Sequence, residues 1–222
     1  MNHGPDPFAL LDRGRAGLDA LAQGAGLRFT AAVQRSWWTR RLVNPGLLAL
    51  SILRDDARRR LLEEWRNSGE ETSSFFSAEA DALLDFIAAQ LPDPSPELAV
   101  CRFEQFTLRA NIRARSFKAP LLLFDPEGII RQGRHAGMVF FHGKPDLILS
   151  TLLQQQPPPF SLDATALLVA PGLQPLCRIA APEERELWTR LTLPTTAAVL
   201  VRDGCPRNVI ETMLRAGALE YA

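Results

Sequence analysis

Apolar residues recur at helical spacing as far as Lys118. After Ala119-Pro120 they fall instead into short runs closed by Gly, Pro or Asp. A repeat near 3.6 marks one face of a helix, whereas short apolar runs between turn formers mark strands. The change of texture predicts an α+β chain with a helical domain over 1–118 and an α+β domain over 119–222. The second domain reads as a small antiparallel sheet followed by helices, an order of winged-helix type.

In the first half, helices are expected over 6–23, 28–43, 46–66, 75–91 and 97–118. The third places Leu50, Leu53, Ala57, Leu61 and Trp65 on one face, and the fourth turns Phe76, Ala80, Leu83, Leu84 and Ile87 inward. Ser95-Pro96-Glu97 is a helix start. In the second half, strands are expected over 121–125, 137–143, 146–151, 164–170 and 176–180, with His142 to Pro145 as a hairpin loop. Gln154 to Phe160 reads as an extended linker. Helices follow over 182–191, 195–201 and 206–216, the last closed by Gly217.

The formal net charge is zero, which argues against general nucleic-acid binding. Cys101, Cys177 and Cys205 are an odd, dispersed set, as reduced thiols of a cytoplasm would be. No signal-type stretch or membrane-length apolar run is visible, so a soluble cytoplasmic protein is expected. His3, His135 and His142 are dispersed too, and no Cys/His cluster has zinc spacing. Phosphate-binding and nucleophile-elbow motifs are absent. A chain with neither a metal set nor a nucleophile beside a base is expected to bind rather than to catalyse.

Two patches suit binding. Arg102, Arg109 and Arg113 are spaced by seven and four residues on one helix face, and Arg115 and Lys118 extend the charge. Such a face is either simply solvated or docks a partner, and Glu104 and Gln105 within it point to specific pairing. Trp37-Trp38 with Arg35, Arg40 and Arg41 forms the second patch. One indole there belongs in a core and the other on its edge; Trp38 is taken as the candidate partner anchor.

The motif Cys101-Arg102-x-Glu104-Gln105-x-x-x-Arg109-Ala110, between a helical half and a winged-helix-like half, resembles partner proteins of multinuclear non-heme iron oxidative enzymes (MNIO). The nearest likeness is to the MbnC family of methanobactin biosynthesis, and next to the partners in thiaglutamate-type peptide biosynthesis. Phe106 and Thr107 depart from the aliphatic residues expected there. The resemblance implies a non-catalytic subunit in a heterodimer with an MbnB-like iron enzyme, the iron being held by that enzyme and not by this chain. It implies a C-terminal recognition element for the leader of a ribosomally made precursor peptide (MbnA-like), whose cysteine the complex oxidises to an oxazolone with a neighbouring thioamide. The partner contact is then expected at Arg102, Arg109, Arg113, Arg115 and Trp38.

Leader capture of this kind is strand addition to a sheet edge. The expected strand is 164–170, with Thr165, Leu167, Leu168 and Val169 as contacts, and Met138 to Phe141 is next. The alternative is a winged-helix DNA-binding regulator. Its last helix sets Arg207 and Arg215 against Glu211 and Glu220, a poor composition for phosphate binding.

Overall fold

The structure is a computed structural model in which residues 47–68, 76–121 and 124–222 are described. The helices expected over 6–23 and 28–43, the Trp37-Trp38 patch and His3 lie outside these residues. Residues Pro45–Ala222 form one compact unit of α+β architecture.

The helix expected over 46–66 is two: α1 Leu47–Ser51 and α2 Asp55–Ser68. Asp55 and Asp56 favour a fresh N-terminus, because carboxylates are stabilised by the first turn's free N–H groups. The Arg58 N–H donates to Arg54 O at 2.8 Å and opens the second helix. Helix α3 is Phe76–Gln90, with Ala80, Leu83, Leu84 and Ile87 fully buried as its periodicity requires. Helix α4 is Pro96–Ala114, capped by Ser95, whose Oγ accepts from the Leu98 N–H at 3.1 Å. It stops short of Lys118 because Phe117 turns away to pack on a backbone floor. A Cβ on Gly172 or on Gly217 would meet the Phe117 ring at 2.5 Å. Gly217 has φ 69°, a left-handed position that closes the last helix as its sequence predicts.

The second half contains β1 Ile129–Gln132, β2 Gly137–Phe141, α5 Pro145–Leu153, β3 Thr165–Val169, β4 Cys177–Ile179 and α6 Pro182–Arg190. It ends with β5 Thr195–Thr196, α7 Ala197–Arg202, α8 Arg207–Arg215 and β6 Leu219–Tyr221. Two three-stranded antiparallel sheets stand where one was expected, in the orders β5-β1-β6 and β2-β3-β4. Three expectations are corrected. The run 146–151 is helical, not a strand: Pro145 opens α5, and Ile148 and Leu152, four apart, are its buried residues. The segment His142 to Pro145 therefore leads from a strand into a helix rather than round a hairpin. In 121–125, Leu121, Phe124 and Asp125 are not in a strand.

The β2-β3-β4 sheet is covered on both faces. Its register pairs Met138 with Leu168 and Phe140 with Ala166 on one face, and Val139 with Leu167 on the other. Met138, Ala166 and Leu168 join Leu187, Trp188, Ile210, Met213 and Leu214 in the larger core. Val139, Phe141 and Leu167 pack with Val100, Phe103, Phe106, Ile148 and Leu152. The packed core is thus shared across the point, after Lys118, where the sequence places a domain boundary.

Candidate functional site

The strand expected to capture a peptide has no free edge. Strand β3 is the middle of its sheet, paired with β2 from Thr165 to Val169 and with β4 from Leu167 to Val169. Both its edges are used, and Leu168 and Val169 are fully buried. Thr165, Leu167, Leu168 and Val169 therefore cannot take a further strand; the edges of this sheet are β2 and β4.

The hydrogen-bond phase shows which groups of β2 face outward. Ala180 N–H donates to Ala166 O at 2.9 Å and Ala170 N–H to Leu176 O at 3.0 Å. Ala166, Leu168 and Ala170 thus exchange bonds with β4, and the alternate residues Thr165, Leu167 and Val169 with β2. On β2 the inward partners are Gly137, Val139 and Phe141. The main-chain N–H and C=O of Met138 and Phe140 point away from the sheet. At the opposite edge, β4 has three residues, and its Ile179 O already accepts from the Arg178 guanidinium at 3.1 Å. Strand β2 is the longer edge and the less committed.

Beside β2 lies a groove of about 830 Å³. One wall is Phe140 of β2 with Leu162, Asp163 and Ala164 of the loop before β3; the helix wall is the outer side of α6, from Pro182 through Arg185 and Thr189 to Arg190. Phe140 is 38% exposed and Leu162 90%, so apolar surface is on offer. Helix α6 is held in place from beneath. Glu184, its third residue, reaches back to accept from the Ala181 N–H at 2.9 Å, and both its oxygens take the Arg178 guanidinium, at 2.6 and 2.5 Å. Leu187 and Trp188 bury the inner side. On the groove side Arg190 is paired with Glu186 at 2.5 Å and donates to Asp203 O at 2.7 Å. Arg185 and Asp163 are exposed, and neither side chain has a hydrogen bond or ion pair among the described residues.

The arginine face of α4 is largely turned inward. Arg109 makes a two-pronged contact with Asp81 of α3, at 2.6 and 2.9 Å, and reaches Asp85 at 3.1 Å. Arg102 donates to Asp85 at 2.9 Å and to Gln105 at 2.8 Å, while buried Gln105 donates to Asp81 O at 3.3 Å. Burial alone would raise the Asp85 carboxyl, but the bonds from Gln105 and Arg102 and the charges of Arg109 and Arg102 hold it below its ordinary value. Glu104 turns the other way and accepts the Leu48 and Ala49 N–H groups at 3.2 and 2.6 Å, closing the start of α1. Arg102 and Arg109 are thus committed to joining α3 and α4. Of the arginines expected to meet a partner, Arg113 and Arg115 remain on the surface. Trp38 lies outside the described residues.

The thiols divide as burial dictates. Cys101 is enclosed, its Sγ donating to Leu84 O at 3.3 Å, and burial pushes the thiol up to about 12. Cys205 is buried as well, and burial raises its thiol too. His142 stacks on Phe160 at 5.2 Å, and His135 is exposed. Among the described residues no group of three His, Cys, Asp or Glu could hold a metal ion, and no helix is long and apolar enough to cross a membrane. On α8, Arg207 lies over the Phe124 ring at 4.4 Å and pairs with Glu211 at 2.6 Å.

Phe140 falls within Met138 to Phe141, the second-choice strand; Leu162, Asp163 and Arg185 were not among the expected site residues. Alternation in GMVFF places Phe140 opposite Val139 and Phe141, but not beside α6, and Arg185 reads only as part of a helix entry. No protein-family model matches the chain, and no curated protein matches it.

Proposed function

We propose that this chain is a non-catalytic partner subunit that captures an extended peptide along the outer edge of β2 and presents it to an iron-dependent oxidase. The observation that carries the reading is the pair of outward-facing main-chain residues, Met138 and Phe140, beside a groove that opens against α6. Strand addition supplies affinity through the backbone and selectivity through alternate side chains, so an edge with an adjoining groove suits it. The motif that carries the resemblance to MNIO partners supports the reading indirectly. Its residues Arg102, Gln105 and Arg109 bind α3, Glu104 holds α1, and Cys101 and Ala110 are buried. They build the helical layer on which the β2-β3-β4 sheet rests. In this reading the peptide is the leader of a ribosomally made precursor, the iron belongs to the MNIO enzyme, and the product is of the methanobactin oxazolone and thioamide type. The reading keeps the protein in the cytoplasm, where such precursors are made.

The test is co-expression with an MNIO enzyme and precursor encoded beside this gene, followed by co-purification and a leader-binding titration. Phe140→Pro is the informative variant. Its N–H faces outward, so proline there removes a donor from the open edge and none from the β2-β3 ladder. We expect a stable heterodimer, leader binding that Phe140→Pro abolishes at unchanged circular dichroism, and a smaller loss for Phe140→Ala. A chain that stays monomeric and binds the leader equally well as Phe140→Pro overturns the proposal.

A further inference from the structure

We infer that the strand taken up by β2 carries an apolar side chain between Phe140 and Leu162, an acidic one towards Arg185 and a basic one towards Asp163; the inference rests on the reading of β2 as the capture edge. Met138 and Phe140 would exchange main-chain bonds with the incoming strand, and directly opposed residues share a face of the sheet. The incoming residue opposite Phe140 therefore points to the groove side, as does every second residue along the peptide. The groove has two walls. On the helix wall Arg190 is neutralised by Glu186 and tied to Asp203 O, which leaves Arg185 as the cation without a partner among the described residues. On the other wall, formed by Phe140 and the segment 162–164, Asp163 is the anion without a partner among the described residues, next to exposed Leu162. Two open charges of opposite sign on facing walls favour an occupant with the converse arrangement and disfavour one of uniform sign, because like charges in such a slot repel at close range. The ligand class is a mixed-charge, alternately apolar peptide rather than a polyacidic or wholly apolar one.

Selection of a displayed library of random peptides of about twelve residues, long enough to overlap β2 at both ends, tests this on the full chain. Expected are binders that lose affinity on Phe140→Pro and share an apolar residue flanked by an acid and a base. Arg185→Glu should weaken them by about tenfold or more. The exchange variant Asp163→Lys with Arg185→Glu should select the opposite charge order. Both positions are exposed, so these changes leave the fold intact. Binders that depend on Phe140 but ignore both charge changes overturn the inference and leave the capture edge standing. Binders indifferent to Phe140→Pro, or a library without binders, overturn both.

Discussion

Glu184 has both carboxylate oxygens committed, to Arg178 and to the Ala181 N–H, under a side chain only 6% exposed. Burial by itself raises its pKa, but the hydrogen bonds from Arg178 and Ala181 and the Arg178 charge outweigh it and hold the carboxyl below its ordinary value. A carboxyl depressed on folding contributes stability that is present above its unfolded value, about 4.3, and is lost as pH falls through the folded one. Glu184→Gln should therefore cost about 1–3 kcal/mol at pH 7, with the gap to the parent narrowing below about pH 4. Urea denaturation at neutral and acid pH checks this; an equal gap at both would contradict it. Glu104 has the opposite sign. Burial raises it more than the Ala49 and Leu48 N–H groups lower it. Its linked contribution is full below the unfolded value and is lost as pH rises through the folded one. Glu104→Gln should remove that decline from the pH–stability profile. Glu104→Ala should instead cost about 1–3 kcal/mol by leaving two helix-start donors without an acceptor. A pH series of thermal melts distinguishes the two variants.

At the scale of elements, the joint between α3 and α4 is a ladder of Asp81 and Asp85 against Arg109 and Arg102. Arg109→Glu places a carboxylate against two others and should lower unfolding stability by about 1–2 kcal/mol, a value reduced by the pair's partial exposure. Arg113→Glu, at an exposed position near the helix end, should stay within about 0.5 kcal/mol. Equal effects in denaturant titrations would mean the ladder contributes nothing. The same joint shows what the sequence discloses. The spacing of Arg102, Arg109 and Arg113 places them on one helix face, and Glu104 and Gln105 within it signal specific pairing. Periodicity does not say that the facing surface is α3, because Asp81 and Asp85 lie on a separate helix. Helix α5 was hidden for a related reason: a short apolar run such as DLILST fits a strand or a buried helix equally. Strands β1 and β6 have four and three residues and exist through pairing distant in sequence, Ile130 with Tyr221 and Gln132 with Leu219. By contrast, β2, β3, β4, α6 and α8 carry their own boundaries in Gly, Pro and Asp and were legible within a residue or two. The run 164–170 does not disclose that β3 is central, because an apolar run flanked by turn formers suits a central strand as well as an edge one.

At the scale of the whole molecule, the β2-β3-β4 sheet is packed by both halves of the chain. Its Met138 face closes the core with α6 and α8, and its Val139 face receives α4 and α5. Val100, Phe103 and Phe106 come from before residue 118; Val139, Phe141, Ile148 and Leu152 come from after it. Burying side chains of this size contributes about 1.5–3 kcal/mol each, so separating the halves would expose an interface worth far more than any single surface contact. The connection itself is exposed at Arg115, Ser116, Lys118, Ala119 and Leu121, which makes it open to a protease. A chain carrying a cleavable sequence after Lys118 should therefore remain whole once cut. The two fragments should co-elute from a sizing column in native buffer, keep the parent's circular dichroism, and part only in denaturant. The fragment 119–222 expressed alone should aggregate, because its Val139 and Phe141 face has lost its cover. Two fragments that separate after cutting, each retaining its own helical or mixed spectrum, would show instead that the halves fold as independent domains joined at Lys118.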